Sequence, residues 1–267
     1  MLKTRSGSRC APLRVAVLTS RRAPGLSHLL EHDPNRGRLY QLVVGVATEP
    51  ASETVAQLES AGVSCEIQDL RAFCSVRGGK LGDLGLRRIF DGRTARFLQA
   101  YRPDLVLLAG YLHILTEPML VAYPQAIINI HDADLAITDA DGKPRYRGLR
   151  STYDALASGQ PETRSTVHLV TPEVDVGPPL IRSGAFPVPS MIADARRRGA
   201  TEILKTYAHD QREWMMRVAW GPLLARAIAL FAQDQVRVLD GRAVIGGRLG
   251  PLELDRERPA ASRAAGS

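Results

Sequence analysis

The sequence predicts an α/β protein: a mostly parallel, doubly wound sheet with flanking helices and a C-terminal β-hairpin. Three observations carry this. Apolar runs closed by turn residues alternate with stretches of helical periodicity, as in parallel sheets built from strand–helix units. Three of these runs, 105–109, 126–130 and 165–170, are short and end at turn residues, a pattern that suits buried strands better than helices although periodicity alone does not separate the two. Residues 236–245 read as two strands joined by Asp240-Gly241, a tight hairpin turn.

Taken in order, residues 1–12 are basic and lack an apolar stretch adequate for a secretory signal, so they are expected to form a disordered lead. The folded domain is assigned to 13–249. Residues 250–267, rich in Pro, Ala, Arg and Ser, are assigned to a disordered tail. Residues 14–19 form the first strand, 20–25 (Ser-Arg-Arg-Ala-Pro-Gly) a turn, and 26–30 begin a helix. A loop leading into a helix N-terminus is a natural anion site, because free N–H groups and the helix dipole both favour negative charge. Arg21 and Arg22 would add to it. Neither a GxGxxG nor a Walker pattern is present, which removes the main support for dinucleotide or nucleoside triphosphate binding.

Strands are expected at 40–46 and 63–67, a helix at 53–61, a loop at 74–84 and a helix at 87–101 with Ile89, Phe90, Phe97 and Leu98 near one stripe. Between His131 and Ser151 lies a polar loop, with Ser151 expected to cap a helix over 152–157. Asp132, Asp134, Asp139 and Asp141 lack the spacing of a calcium loop, and no metal is expected. Residues 178–188 are extended. Residues 193–230 are helical but interrupted at Gly221-Pro222, which predicts two helices or a kinked one. Trp214, Met215, Met216 and Trp220 are assigned to the core.

The net charge of +7 is scattered, aromatic residues make up only 5%, and no RNA-binding signature is present. This favours a solvated basic surface with a few anion contacts over a nucleic-acid partner. No apolar run approaches the ~20 residues of a membrane span. Cys10, Cys65 and Cys74 form no CxxC pair, which points to a reducing, cytoplasmic compartment. The chemistry concentrates at 104–177. Asn129 and His131 fall at the end of one strand and Asp175 just past the end of the next, so an amide, an imidazole and a carboxylate are expected to meet in the crevice beyond the carboxyl ends of the strands.

These residues carry a resemblance. Pro103-Asp-Leu-Val-Leu-Leu-Ala-Gly-Tyr-Leu-His-Ile-Leu115, Asn129-Ile-His131 and Ser165-Thr-Val-His-Leu-Val-Thr-Pro-Glu-Val-Asp-Val-Gly-Pro178 closely resemble the folate-dependent formyltransferases, nearest to the glycinamide ribonucleotide type. The resemblance runs from about Arg14 to Ile245. It implies a Rossmann-like sheet, 10-formyltetrahydrofolate as co-substrate, and catalytic roles for Asn129, His131 and Asp175. It implies a pterin pocket around Leu112, His113, Ile114, Leu115, Val170 and Thr171. It also implies a substrate phosphate at Ser20, Arg21 and Arg22, with Arg87 near substrate and glutamate tail.

The chemistry fits those residue types. An amine attacking a formamide-like carbon generates an oxyanion, to which Asn129 and a protonated His131 can donate. Asp175 beside His131 would raise the imidazole pKa, favouring its charged form, and could help move the amine's proton. His168, within a strand, reads as structural. The sequence departs from the family in two places. The Gly-rich turn after strand one is replaced by Ser-Arg-Arg-Ala-Pro-Gly. The His-Pro-Ser-Leu-Leu-Pro run is replaced by His131-Asp-Ala-Asp-Leu135 and a longer loop to Gly148.

The expected acceptor is a small, phosphorylated amine, by default glycinamide ribonucleotide in purine biosynthesis. An amino sugar or another metabolite amine is the alternative. A formyltetrahydrofolate hydrolase is less favoured, since that class carries an N-terminal regulatory domain and this chain starts on strand one almost at once. A silent folate-binding protein is disfavoured by the intact trio. No membrane or nucleic-acid partner is expected, and the chain is expected to be a monomer or homodimer.

Overall fold

Strict alternation along the central strands decides which face of the sheet each side chain meets. The computed structural model describes residues 11–254. In chain order the elements are β1 (Leu13–Thr19), a short π-helix (His28–His32), β2 (Tyr40–Ala47), α1 (Glu53–Ser60), β3 (Cys65–Ile67), α2 (Leu70–Ser75), α3 (Leu84–Gln99), β4 (Leu105–Leu108), α4 (Glu117–Ala122), β5 (Ile127–His131), α5 (Ser151–Ser158), β6 (Glu162–Thr163), β7 (Thr166–Leu169), β8 (Pro179–Ser183), β9 (Phe186–Pro187), α6 (Ser190–Arg197), α7 (Thr201–Ala232), β10 (Val236–Leu239), β11 (Arg242–Ile245), β12 (Arg248–Leu249) and β13 (Leu252–Leu254).

The main sheet has eight strands in the order β13-β8-β7-β5-β4-β1-β2-β3. All run the same way except β7, which is antiparallel to both neighbours. Leu13, Val15 and Val17 of β1, Leu105 and Leu107 of β4 and Ile128 and Ile130 of β5 bury one face against Met215, Trp220 and Leu223 of α7. Their neighbours Ala16, Leu18, Val106, Leu108 and Ile127 bury the other face against Leu98 of α3 and Met119 of α4. A period of two thus gives a three-layer helix–sheet–helix architecture. The hairpin β10–β11 pairs Leu239 with Arg242 around Asp240-Gly241, both at positive φ, as a two-residue primed turn requires.

The antiparallel course of β7 corrects the expected route to Asp175. Asn129 sits opposite His168, and His131 opposite Thr166, so β7 runs away from the carboxyl end of β5. The segment after β7 turns back, with Asp175 at φ 55°, and returns the carboxylate to the level of His131. A short run buried on both faces carries no mark of its direction, which is why sequence alone missed this.

Other expectations also change. α7 is continuous across Gly221-Pro222. Trp220, Leu223, Leu224 and Ile228 on both sides of Pro222 are buried against the sheet, and Gly221 admits the π-helix so closely that a Cβ there would lie 2.4 Å from His28 Cβ. Tertiary packing outweighs the missing N–H. The break comes earlier, at Gly199, whose φ of 69° separates α6 from α7. α7 is long and apolar enough by composition to span a membrane, but 67% of its most apolar window is buried in the protein.

Ser151 is the first residue of α5 rather than its cap. Its hydroxyl donates to the Asp132 carbonyl instead. In α3, Phe90 and Leu98 are buried as expected, whereas Ile89 is exposed. Residues 250–254, assigned to the tail, continue the fold: β13 pairs with β8, and Arg164 and Arg182 clasp Glu253 at 2.8 and 2.9 Å. The lead at 1–10 and the remaining tail at 255–267 lie outside the described residues.

Candidate active site

Strand alternation puts Asn129 and His131 on one face at the carboxyl end of β5, and pairing puts His168 directly beside Asn129. His168 Nδ1–H donates to the Leu169 carbonyl at 2.9 Å, which leaves Nε2 as an acceptor. Asn129 Nδ2 donates to it at 3.2 Å. One amide hydrogen of Asn129 is thereby committed, its orientation is fixed, and its second N–H has no protein partner among the described residues.

Asp175 closes the group. Its Oδ2 lies 3.5 Å from His131 Nδ1 and accepts the Gly148 N–H at 2.9 Å, while its Oδ1 lies 3.6 Å from His168 Nε2. Burial pushes this carboxyl up, but the neighbouring His168 and His131 imidazoles and the Gly148 N–H outweigh burial and hold it at about 2. His131 differs from expectation. Burial holds its imidazole below the ordinary value, and the opposing pull of Asp175 is the smaller effect. Its Nε2 faces the Tyr146 carbonyl at 3.2 Å, so in this arrangement neither ring nitrogen is free to meet an oxyanion. Both nitrogens face oxygens that only accept, so the imidazolium, if formed, is satisfied at both ends.

The three groups open onto a cleft of about 1350 Å³. One wall is Tyr111, Leu112, His113, Ile114 and Leu115, continued by Val170, Thr171, Pro172 and Val174. Leu112, Ile114 and Val174 are exposed there, an unsatisfied apolar surface. The wall is backed from inside. Arg87, 2% exposed, donates to the Ile114 carbonyl at 2.6 Å and the Tyr111 hydroxyl at 3.3 Å, and lies 3.7 Å from Asp91. Ser20 is buried and accepts the Leu112 N–H at 3.1 Å. Ser20 and Arg87 therefore support the wall instead of lining the cleft, contrary to the role the resemblance implied. Arg21 and Arg22 do line it, each paired with a carboxylate, Glu49 and Glu213.

The opposite wall holds residues that the sequence reading did not single out as functional: Arg150, Lys205, His209 and Arg212, together with Asp132. Positions 205, 209, 212, 216 and 220 share one face of α7, a spacing visible in the sequence. The loop between β5 and α5 is tied to the segment after β7 by Lys143 and Arg147, which pair with Glu173 at 2.7 and 3.1 Å. Asp139 is a turn former there, its Oδ1 accepting the N–H groups of Asp141 and Lys143.

The formyl transferase family profile matches residues 13–191, which includes every residue of the Asn129–His131–His168–Asp175 group. The chain belongs to the formyl transferase family. It is 28% identical over 239 residues to the phosphoribosylglycinamide formyltransferase of Mycobacterium tuberculosis, covering 90% of this chain and 94% of that one. It is 28% identical over 177 residues to the trifunctional purine biosynthetic protein adenosine-3 of Drosophila melanogaster, of which it spans 12%. Among solved structures, the glycinamide ribonucleotide transformylase 1 of Symbiobacterium toebii superposes with a TM-score of 0.66 at 29% identity, covering 89% of this chain and 95% of that chain. This formyl transferase shares its overall fold with that relative.

Proposed function

We propose that this formyl transferase moves a formyl group from 10-formyltetrahydrofolate to the primary amine of a small anionic acceptor, glycinamide ribonucleotide being the acceptor its relatives' names support. The observation that carries the reading is the convergence of Asn129, His131 and Asp175 on one cleft, between an apolar wall and a basic one. The apolar wall fits the co-substrate: exposed Leu112, Ile114 and Val174 offer a surface that a flat heterocycle would cover. When bound, 10-formyltetrahydrofolate supplies the electrophilic formyl carbon.

The protein's own groups divide the remaining work. Asn129, held by His168, presents its second N–H where negative charge develops on the carbonyl oxygen. His131, kept neutral by burial, takes up through water the proton released by the attacking amine, and the same proton returns to N10 of the folate as the bond between N10 and the formyl carbon breaks. The resulting imidazolium lies between Asp175 and the Tyr146 carbonyl, so the site stabilises a charge that exists only as the reaction proceeds. Asp175, ionised throughout, needs no proton of its own.

The test is spectroscopic consumption of 10-formyltetrahydrofolate with and without glycinamide ribonucleotide. Turnover that requires the ribonucleotide is the expected result. Turnover without any acceptor would make the protein a hydrolase, and absence of turnover with this acceptor would remove glycinamide ribonucleotide from the reading.

A further inference from the structure

Asp132 follows His131 directly and, by strand alternation, faces the opposite way, toward α7. It stands where the family resemblance leads one to expect proline. Its carboxylate is 4% exposed, yet every side of it is occupied. Oδ1 accepts the Trp220 indole N–H at 2.7 Å and the Ser165 hydroxyl at 3.0 Å, and Oδ2 lies 2.9 Å from Arg212 Nε. The Ser151 and Thr152 hydroxyls fix its carbonyl.

The consequence falls on Arg212. Its inner edge is held by a buried anion, its side chain remains 38% exposed, and it lines the cleft. No other hydrogen bond or ion pair involves its two terminal nitrogens among the described residues. A planar fork held at Nε by a rigid carboxylate is a preorganised donor pair for two oxygens of one anion. Lys205 on the same face of α7 and Arg150 before α5 line the same cleft. Their partners, Glu202 and Asp154, form surface pairs that exchange at little cost. Arg21 and Arg22 differ. Arg21 is 77% exposed, and both are engaged by surface carboxylates instead of being aimed by a buried one.

We propose that Arg212, aimed by Asp132, anchors a phosphomonoester on the amine acceptor, with Lys205 and Arg150 as flanking cations. This rests on the formyl-transfer reading for its biological meaning and its kinetic test, but not for its binding test. Asp132 acts through Arg212 and is a positioning residue.

Two measurements separate the claims. Calorimetric titration with ribose 5-phosphate should show binding to the wild type, weakened about tenfold or more in Arg212→Gln, partly restored in Arg212→Lys, and intermediate in Asp132→Asn. In the acceptor-dependent assay, Arg212→Gln should raise the acceptor's KM about tenfold or more while the folate's KM stays within about twofold. If Arg212→Gln fails to fold with Asp132 left unpaired, the double variant Asp132→Asn/Arg212→Gln removes both charges and takes its place. Phosphate binding that depends on Arg212 in a protein that does not formylate glycinamide ribonucleotide would uphold the subsite and discard that acceptor. Ribose 5-phosphate binding unchanged by Arg212→Gln, no binding to the wild type, or a loss of kcat with acceptor KM unchanged would each overturn the proposal.

Discussion

His113 shows how strongly one residue's surroundings can set its charge. It sits in the cleft wall, and burial, then the nearby charges of Arg87 and Arg71, bring its imidazole down from 6.5 to about 4. His131 moves in the same direction for the same leading reason. Both shifts make folding pH-dependent with one sign. Unfolded, the imidazoles take up protons near 6.5; folded, they resist, so the stability gained by keeping them neutral is complete above 6.5 and is lost as pH falls. For His113 the loss runs from 6.5 to about 4 and then stops. Asp175, depressed to about 2, adds a second window below its ordinary 3.8, again with stability lost as pH falls. Thermal melts of wild type and His113→Gln between pH 7 and 4 should show a shallower decline of Tm in the variant. Parallel curves would mean that His113 titrates normally.

At the scale of elements, the site depends on close backbone approaches that only glycine permits. Gly110, after β4, has φ 66°, and a Cβ there would lie 1.9 Å from the Arg22 carbonyl oxygen. This contact seats the loop after β1 against the wall that begins at Tyr111, and the Ser20 N–H donates to the Gly110 carbonyl at 3.3 Å. Gly110→Ala forces both a left-handed backbone and a clash. It should cost on the order of 1–3 kcal/mol for the backbone alone, seen as a lower melting temperature, and the folate KM should rise with it. Unchanged stability would show that the two loops do not need this contact. The segment from β7 to Asp175 is built the same way. Gly177 packs so closely that a Cβ would lie 1.8 Å from the Leu169 carbonyl, which is how a short loop turns back to the level of β5.

For the molecule as a whole, the strand–helix alternation, the hairpin and the trio Asn129, His131 and Asp175 were legible in the sequence, because period-two runs, an Asp-Gly turn and the family motif are local signals. What escaped it depends on contacts distant in sequence. The direction of β7 is invisible in a run buried on both faces. Arg87 reads, by the resemblance, as a residue near the substrate until Tyr111 and Ile114 are seen to take its guanidinium inside the wall. Pro222 reads as a break until packing on the sheet keeps α7 one continuous helix. The basic stripe of α7 was written in its spacing, but which face it served awaited the partner of Asp132.

In the proposed reaction the amide of Asn129, oriented by His168, and the pair His131–Asp175 perform the transfer. The decisive experiment is the acceptor-dependent formyl-transfer rate of Asn129→Ala at saturating concentrations of both substrates. Loss of one oxyanion donor should lower kcat by about a hundredfold or more, with both KM values within a few-fold of the wild type. A kcat within a few-fold of the wild type would contradict the claim and move the chemistry to other residues of the cleft.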